Sequence, residues 1–255
     1  MPSQTILFQL EATVVHVKVD ESPVIDFLLA RLRESNPKGD FQREFSLEQT
    51  LRQAEAKVRG PALEEIKKAV SLKLAEAEVA SAASATERKD ARRTISALQS
   101  TGVGAAVITG LSERGAREVL KHLDLEGALT IAASRDDSAD GKERLTIALK
   151  KLGSKPEDVI LVGAGPRAVE AARAAGVRCF VVYSQEVPVN RVIESKPDAL
   201  LFSIFELGDT LLLLAQKSQP REVKPKTEAA AAQEPAEEPD PARTTEPGPE
   251  TAGGP

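Results

Sequence analysis

From residue 105 onward, short apolar runs alternate with amphipathic stretches, and this rhythm leaves few folds open. Ala105–Thr109, Ala128–Ala132, Val159–Gly163, Val177–Tyr183 and Ala199–Ser203 read as strands. Ser112–His122, Lys142–Leu152, Pro166–Ala175 and Ile204–Ala215 read as helices, two of them closed by Gly153 and Gly176. Strands this continuously apolar are buried on both faces, which helices on either side of a parallel sheet provide. Right-handed crossovers then make the expected fold class α/β, a doubly wound, Rossmann-like parallel sheet.

Ahead of this region, Ile6–Leu10 and Thr13–Val17 are rich in apolar and β-branched residues and read as a buried strand and its continuation. From about residue 20 to 93 the character changes. Charged residues are interspersed with Leu, Ala, Ile and Val at helical spacing, as in FLLARLRE and ALEEIKKAVSLKLAEAEVA, and Asn36–Asp40 and Gly60-Pro61 punctuate the run. This is a helical unit set between two strand-bearing regions. Beyond Lys217 the pattern stops: positions 220–255 hold eight of the sixteen prolines and almost no large apolar side chain. Such a segment cannot bury enough surface to offset its ordering entropy, so a disordered tail is expected. The expected organisation is a core formed by residues 1–17 and 94–216, an inserted helical segment at 18–93, and a tail at 217–255.

Composition narrows the function classes. A net charge of −5 and the lack of a basic stripe argue against nucleic acid, and aromatic residues at 3% leave no stacking platform for single strands. Cys179 is the single cysteine, so an internal disulfide and Cys₂ or Cys₄ zinc sites are excluded; His16 and His122 are too few for a histidine-rich metal site. No window reaches the ~18 uninterrupted apolar residues of a membrane span, and the N-terminus has no charged, then apolar, signal pattern. A cytoplasmic protein is the expectation.

Four stretches then carry a family resemblance. Ile6-Leu7-Phe8-Gln9-Leu10-Glu11-Ala12-Thr13-Val14-Val15 looks like hydrophobic-Phe-Asp-x-Asp-Gly-Thr-Leu-Val. Ala106-Val107-Ile108-Thr109-Gly110 is a strand ending in Thr. Lys142 precedes a helix ending Ala148-Leu149-Lys150-Lys151-Leu152-Gly153. Val162-Gly163-Ala164-Gly165-Pro166-Arg167-Ala168 through Ala175-Gly176 is similar to Val-Gly-Asp-Ser-x-x-Asp-x-x-Ala-Ala-x-x-Ala-Gly. In this order the stretches resemble the haloacid dehalogenase (HAD) superfamily, particularly its phosphoglycolate-phosphatase-like branch, which places a helical cap between the first and second motifs.

The resemblance implies a phosphohydrolase, but with key carboxylates replaced. The family's nucleophile is the first aspartate of motif one, and Gln9 stands there; a neutral amide cannot form an aspartyl-phosphate. The second aspartate is the general acid/base, and Glu11 stands there on a longer arm. The family uses Mg²⁺, which wants hard oxygen ligands, yet the matching positions are Gln9, Ala164 and Ala168, so no metal cofactor is expected. What the resemblance leaves is an anion pocket at Thr109 and Gly110 with Lys142 as its positive charge. The implied function is a catalytically inactive pseudo-phosphatase that binds a phosphorylated small molecule or a protein partner. The alternative is a divergent hydrolase of a small phosphate ester, using Glu11 and Lys142.

One rival pattern exists. Gly163-Ala164-Gly165-Pro166-Arg167-Ala168 satisfies Gly-x-Gly-x-x-Ala between a strand and a helix, with Glu186 near the distance expected of a ribose-binding acid. The flanking match to the HAD fourth motif extends well past these glycines, so NAD-type binding is the lesser expectation. Cys179 lies in an apolar strand and reads as a small hydrophobe. His16 follows motif one closely and is a lesser candidate to line the pocket, whereas His122 reads as a surface residue. The Arg88–Arg93 run reads as a solvated helix face or hinge.

Overall fold

In the computed structural model, residues 4–218 are described. Six parallel strands form the central sheet: β1 (Thr5–Gln9), β4 (Gly104–Ile108), β5 (Thr130–Ala133), β6 (Val159–Gly163), β7 (Arg178–Val182) and β8 (Ala199–Leu201). Two further strands, β2 (Val15–His16) and β3 (Thr86–Glu87), pair antiparallel in a small ribbon. The sheet runs in the order β5-β4-β1-β6-β7-β8. Taken in chain order this is the 3-2-1-4-5-6 arrangement of a doubly wound fold, whose ligand crevice opens where the order reverses, beside β1 and β6. Register brings the relevant ends together, with Gln9 opposite Ile108 and Phe8 opposite Val162.

Side chains alternate across the sheet, as period-two geometry demands. Ile6, Phe8, Val107, Ile160, Val162 and Phe180 face one buried layer, which includes α4 (Ala91–Ser100), α5 (Glu113–His122) and α9 (Leu207–Ser218). Leu7, Ala106, Leu161, Cys179 and Val181 face the other, formed by α6 (Gly141–Leu152), α7 (Pro166–Ala175) and α8 (Val189–Glu194). Helices α6 and α7 end on left-handed glycines, Gly153 at φ 60° and Gly176 at φ 70°. The doubly wound expectation holds. One expected strand does not: Thr13–Val17 is not a continuation of β1. Leu10–Val14 form a wide π-type turn in which Val15 N–H donates to the Leu10 carbonyl, and only Val15 and His16 are extended. The buried residues of this turn are Leu10, Thr13 and Val14, a helical rather than alternating spacing.

Between β2 and β3 lie α1 (Ser22–Ser35), α2 (Leu47–Lys57) and α3 (Pro61–Ser81), which bury a core of their own around Val24, Leu28, Leu32, Ile66 and Val70. The segment is helical, as expected. Its end falls short of residue 93, because Ala82, Ala85 and Ala91 pack into the sheet's core. The expectation for 217–255 lies outside the described residues, apart from Lys217 and Ser218 at the end of α9.

A buried ion pair fastens α3 to the core. Glu78, 2% exposed, accepts from the Ser112 amide at 2.8 Å and from the Ser112 hydroxyl, and its other oxygen meets Arg135 Nη2 at 2.9 Å. Arg135 Nη1 also donates to Ser71 of α3 at 2.8 Å. The approach is so close that a Cβ on Gly115 would lie 2.7 Å from the Glu78 Cβ, so glycine is needed there. Removing one member of a buried pair strands the other charge without compensation. Glu78→Ala is therefore expected to lower stability by about 3–5 kcal/mol, read as a lower urea midpoint. Cys179 gives a second expectation. Burial, reinforced by Asp198, pushes its thiol up to about 12, so it carries its proton at neutral pH. Alkylation followed by mass spectrometry is expected to label it only after denaturation.

Candidate functional site

The end of the central strand sends two side chains in opposite directions. Gln9 turns toward β6, where its Oε1 accepts from the Ala164 amide at 3.1 Å. Glu11, carried by the π-type turn, reaches toward β4. Its Oε1 accepts from the Thr109 hydroxyl, from Gly110 N at 2.9 Å and from Leu111 N at 3.1 Å. Arg88 secures this turn from the far side of the ribbon. Its Nε donates to the Val15 carbonyl at 3.0 Å and its Nη2 to the Glu11 carbonyl at 3.0 Å. Arg88 is thus part-buried and structural, rather than a solvated member of the Arg88–Arg93 run.

A cleft of about 240 Å³ opens here, lined by Gln9, Glu11, Ala12, Ile108, Thr109, Gly110, Gly141 and Arg144. Four sequence candidates, Gln9, Glu11, Thr109 and Gly110, are brought together. Lys142 is not among the lining residues: its Nζ lies 3.9 Å from Glu170 of α7, with the side chain 55% exposed. Arg144 stands in the cleft instead and donates through Nη1 to the Thr109 carbonyl at 2.8 Å. Burial lowers its pKa from the ordinary value, while Glu11 pulls the other way. A guanidinium keeps its charge under such a shift. Residues two apart on a helix point to different faces, so the side of α6 that meets the cleft admits only one of these two cations. No spacing in the sequence distinguishes them.

The four amides from Gly110 to Glu113, leading into α5, each have a partner. Glu11 receives Gly110 N and Leu111 N, Glu78 receives Ser112 N at 2.8 Å, and Asp136 receives Glu113 N at 2.9 Å. Ser112 and Glu113 are donors that a helix start leaves without internal partners, Gly110 and Leu111 lead into it, and a nearby negative charge suits all four. Three carboxylates of the same chain satisfy them.

Mg²⁺ finds a poor donor set. Gln9 Oε1 is engaged by Ala164 N, and Ala164 and Ala168 offer methyl groups. The Glu11 oxygen facing β4 is held by three donors. Among the described residues no group of three or more His, Cys, Asp or Glu is placed to hold a metal ion. The residues present do not fit the octahedral, oxygen-rich shell that Mg²⁺ demands.

The glycine-rich loop after β6 is also accounted for locally. A Cβ on Gly163 would lie 2.6 Å from Gln9 Oε1 and 2.7 Å from the Ala168 Cβ, and Gly165 sits at φ 74°. Gln9 Oε1 takes the Ala164 amide of this loop, and Glu186 is exposed on the turn whose Val187 packs beside Gly165. His16 is exposed on β2 and does not line the cleft, and His122 is exposed at the end of α5.

Comparison with known proteins agrees with this architecture. The family described as haloacid dehalogenase-like hydrolase matches residues 25–182. The matched span begins after Gln9 and Glu11. A candidate pyrophosphatase, PpaX, of Caldanaerobacter subterraneus subsp. tengcongensis is 27% identical over 123 residues, 47% of this chain and 56% of that protein. The match thus spans about half the length of this curated relative. Among solved structures, a hydrolase from Pseudomonas syringae superposes with a TM-score of 0.58 at 16% identity, covering 83% of this chain and 99% of that one. A predicted phosphoglycolate phosphatase from Haemophilus somnus gives 0.53 at 14% identity, covering 83% and 99%. At these identities the likeness concerns the fold alone. The family match covers more than half of the sequence, and the chain belongs to the haloacid dehalogenase-like hydrolase family.

Proposed function

We propose that this chain is a non-hydrolytic member of its family, acting in the cytoplasm by binding a protein partner or a phosphorylated small molecule. The observation that carries the reading is the commitment of Gln9. At the end of the central strand, where the family resemblance calls for a nucleophilic carboxylate, a neutral amide is turned onto the Ala164 backbone and packed beside the Ala168 methyl. An amide does not supply the anionic oxygen that covalent attack on phosphorus needs. The fastening of α3 by Glu78 and Arg135 supports the same reading. The helical insert, read as a cap, is held to the core by buried charge, unlike a lid that opens and closes in each catalytic cycle.

A second reading, a divergent hydrolase of small phosphate esters, is favoured by one feature. Glu11 keeps a carboxylate in the cleft that Arg144 also lines, an arrangement able to move a proton and to hold an anion. It supplies no nucleophile of its own, so water would have to attack directly.

The two readings separate in a Mg²⁺-supplemented assay over a panel of phosphate esters that includes pyrophosphate and phosphoglycolate. Phosphate release at the buffer rate is the expected result for the wild-type protein. Turnover that Glu11→Gln abolishes would establish the hydrolase instead.

A further inference from the structure

Every donor that a bound phosphate would use at the end of β4 already has a partner within the chain. The Thr109 hydroxyl and the Gly110 and Leu111 amides converge on one Glu11 oxygen. The next two amides, of Ser112 and Glu113, are held by Glu78 and Asp136. Converging N–H and O–H groups of this kind form a concavity suited to an oxyanion. A carboxylate oxygen meets that demand as a phosphate oxygen does, through charge-assisted hydrogen bonds.

We propose that the resident ligand of this anion site is Glu11 itself, and that the site takes up a tetrahedral oxyanion such as phosphate only when that carboxylate is removed or displaced. The proposal rests on the reading of the cleft as a binding site without hydrolytic function, and it makes the site self-occupied. Three features support it. The tether makes occupancy intramolecular, so a free anion must compete with a local concentration in the millimolar range or above. Arg88 pins the Glu11 and Val15 carbonyls, so the side chain starts from a fixed backbone and little ordering entropy opposes its placement. Arg144 lines the same cleft, and without Glu11 it would face three donors and no carboxylate there. That set complements a phosphate in the sign of its charge and in hydrogen-bonding sense.

The probe is inorganic phosphate, titrated calorimetrically into the wild-type chain, Glu11→Ala, Glu11→Gln and the double variant Glu11→Ala/Arg144→Ala, each checked for folding by circular dichroism. Wild type is expected to show no saturable heat below millimolar phosphate. Glu11→Ala is expected to bind at least about tenfold more tightly than wild type, and the double variant to lose that gain. Glu11→Gln keeps the side-chain shape without the charge, so it answers the question should the alanine variant fail to fold; it is expected to bind more tightly than wild type. Wild type binding phosphate as tightly as the Glu11 variants would overturn the proposal, as would a folded Glu11 variant with no gain. Phosphate binding by wild type without ester hydrolysis would sink self-occupancy and leave the non-hydrolytic reading intact. Ester turnover by wild type would defeat that reading instead.

Discussion

The arrangement at the carboxyl end of the sheet depends on the five-residue turn that follows the central strand. Leu10 and Val14 bury their side chains in the main core, and the Thr13 hydroxyl donates to the Gln9 carbonyl at 2.8 Å. Arg88 closes the outer side by binding the carbonyls of Glu11 and Val15. A wide turn advances the chain differently from a strand, so residues 9 and 11 do not project in parallel as they would in extended backbone. One reaches β6 and the other β4, the two neighbours of β1. The crevice of the doubly wound sheet is bridged on both sides by side chains of the same short segment.

The same end of the molecule is also where the helical insert is fastened. Glu11 and Glu78 approach consecutive amides, at Leu111 and Ser112, from different parts of the chain. Each contact is charge-assisted and placed at the start of α5, where negative charge is favoured. The segment from Thr109 to Glu113 therefore links turn, insert and sheet.

Much of the fold was legible because it follows from periodicity. Continuous apolar strands, amphipathic helices and terminal glycines at 153 and 176 led to the doubly wound sheet directly, and the helical insert followed from its charge pattern. The first turn was not legible, since Thr13–Val17 has β-branched composition while its burial follows a helical spacing. Lys142 and Arg144 are equally basic and two residues apart, and only the packing of α6 puts Arg144 in the cleft. Glu78 did leave a signal. It continues the α3 stripe of Leu63, Ile66 and Val70, and a carboxylate on an apolar stripe must find a partner. Arg135 lies 57 residues away, and nothing in the local pattern identifies it. The meeting of Gln9 with Ala164 was legible once the motifs were aligned, because the sheet order makes β1 and β6 neighbours.

In the proposed arrangement the chain's own Glu11 carboxylate fills the place of a bound anion. A crystal structure of the wild-type protein grown at high phosphate concentration tests it most directly. Glu11 Oε1 is expected within hydrogen-bonding distance of Thr109 Oγ1, Gly110 N and Leu111 N, with no phosphate at those donors. Phosphate seated on Thr109 and Gly110, with Glu11 swung out into solvent, would contradict it.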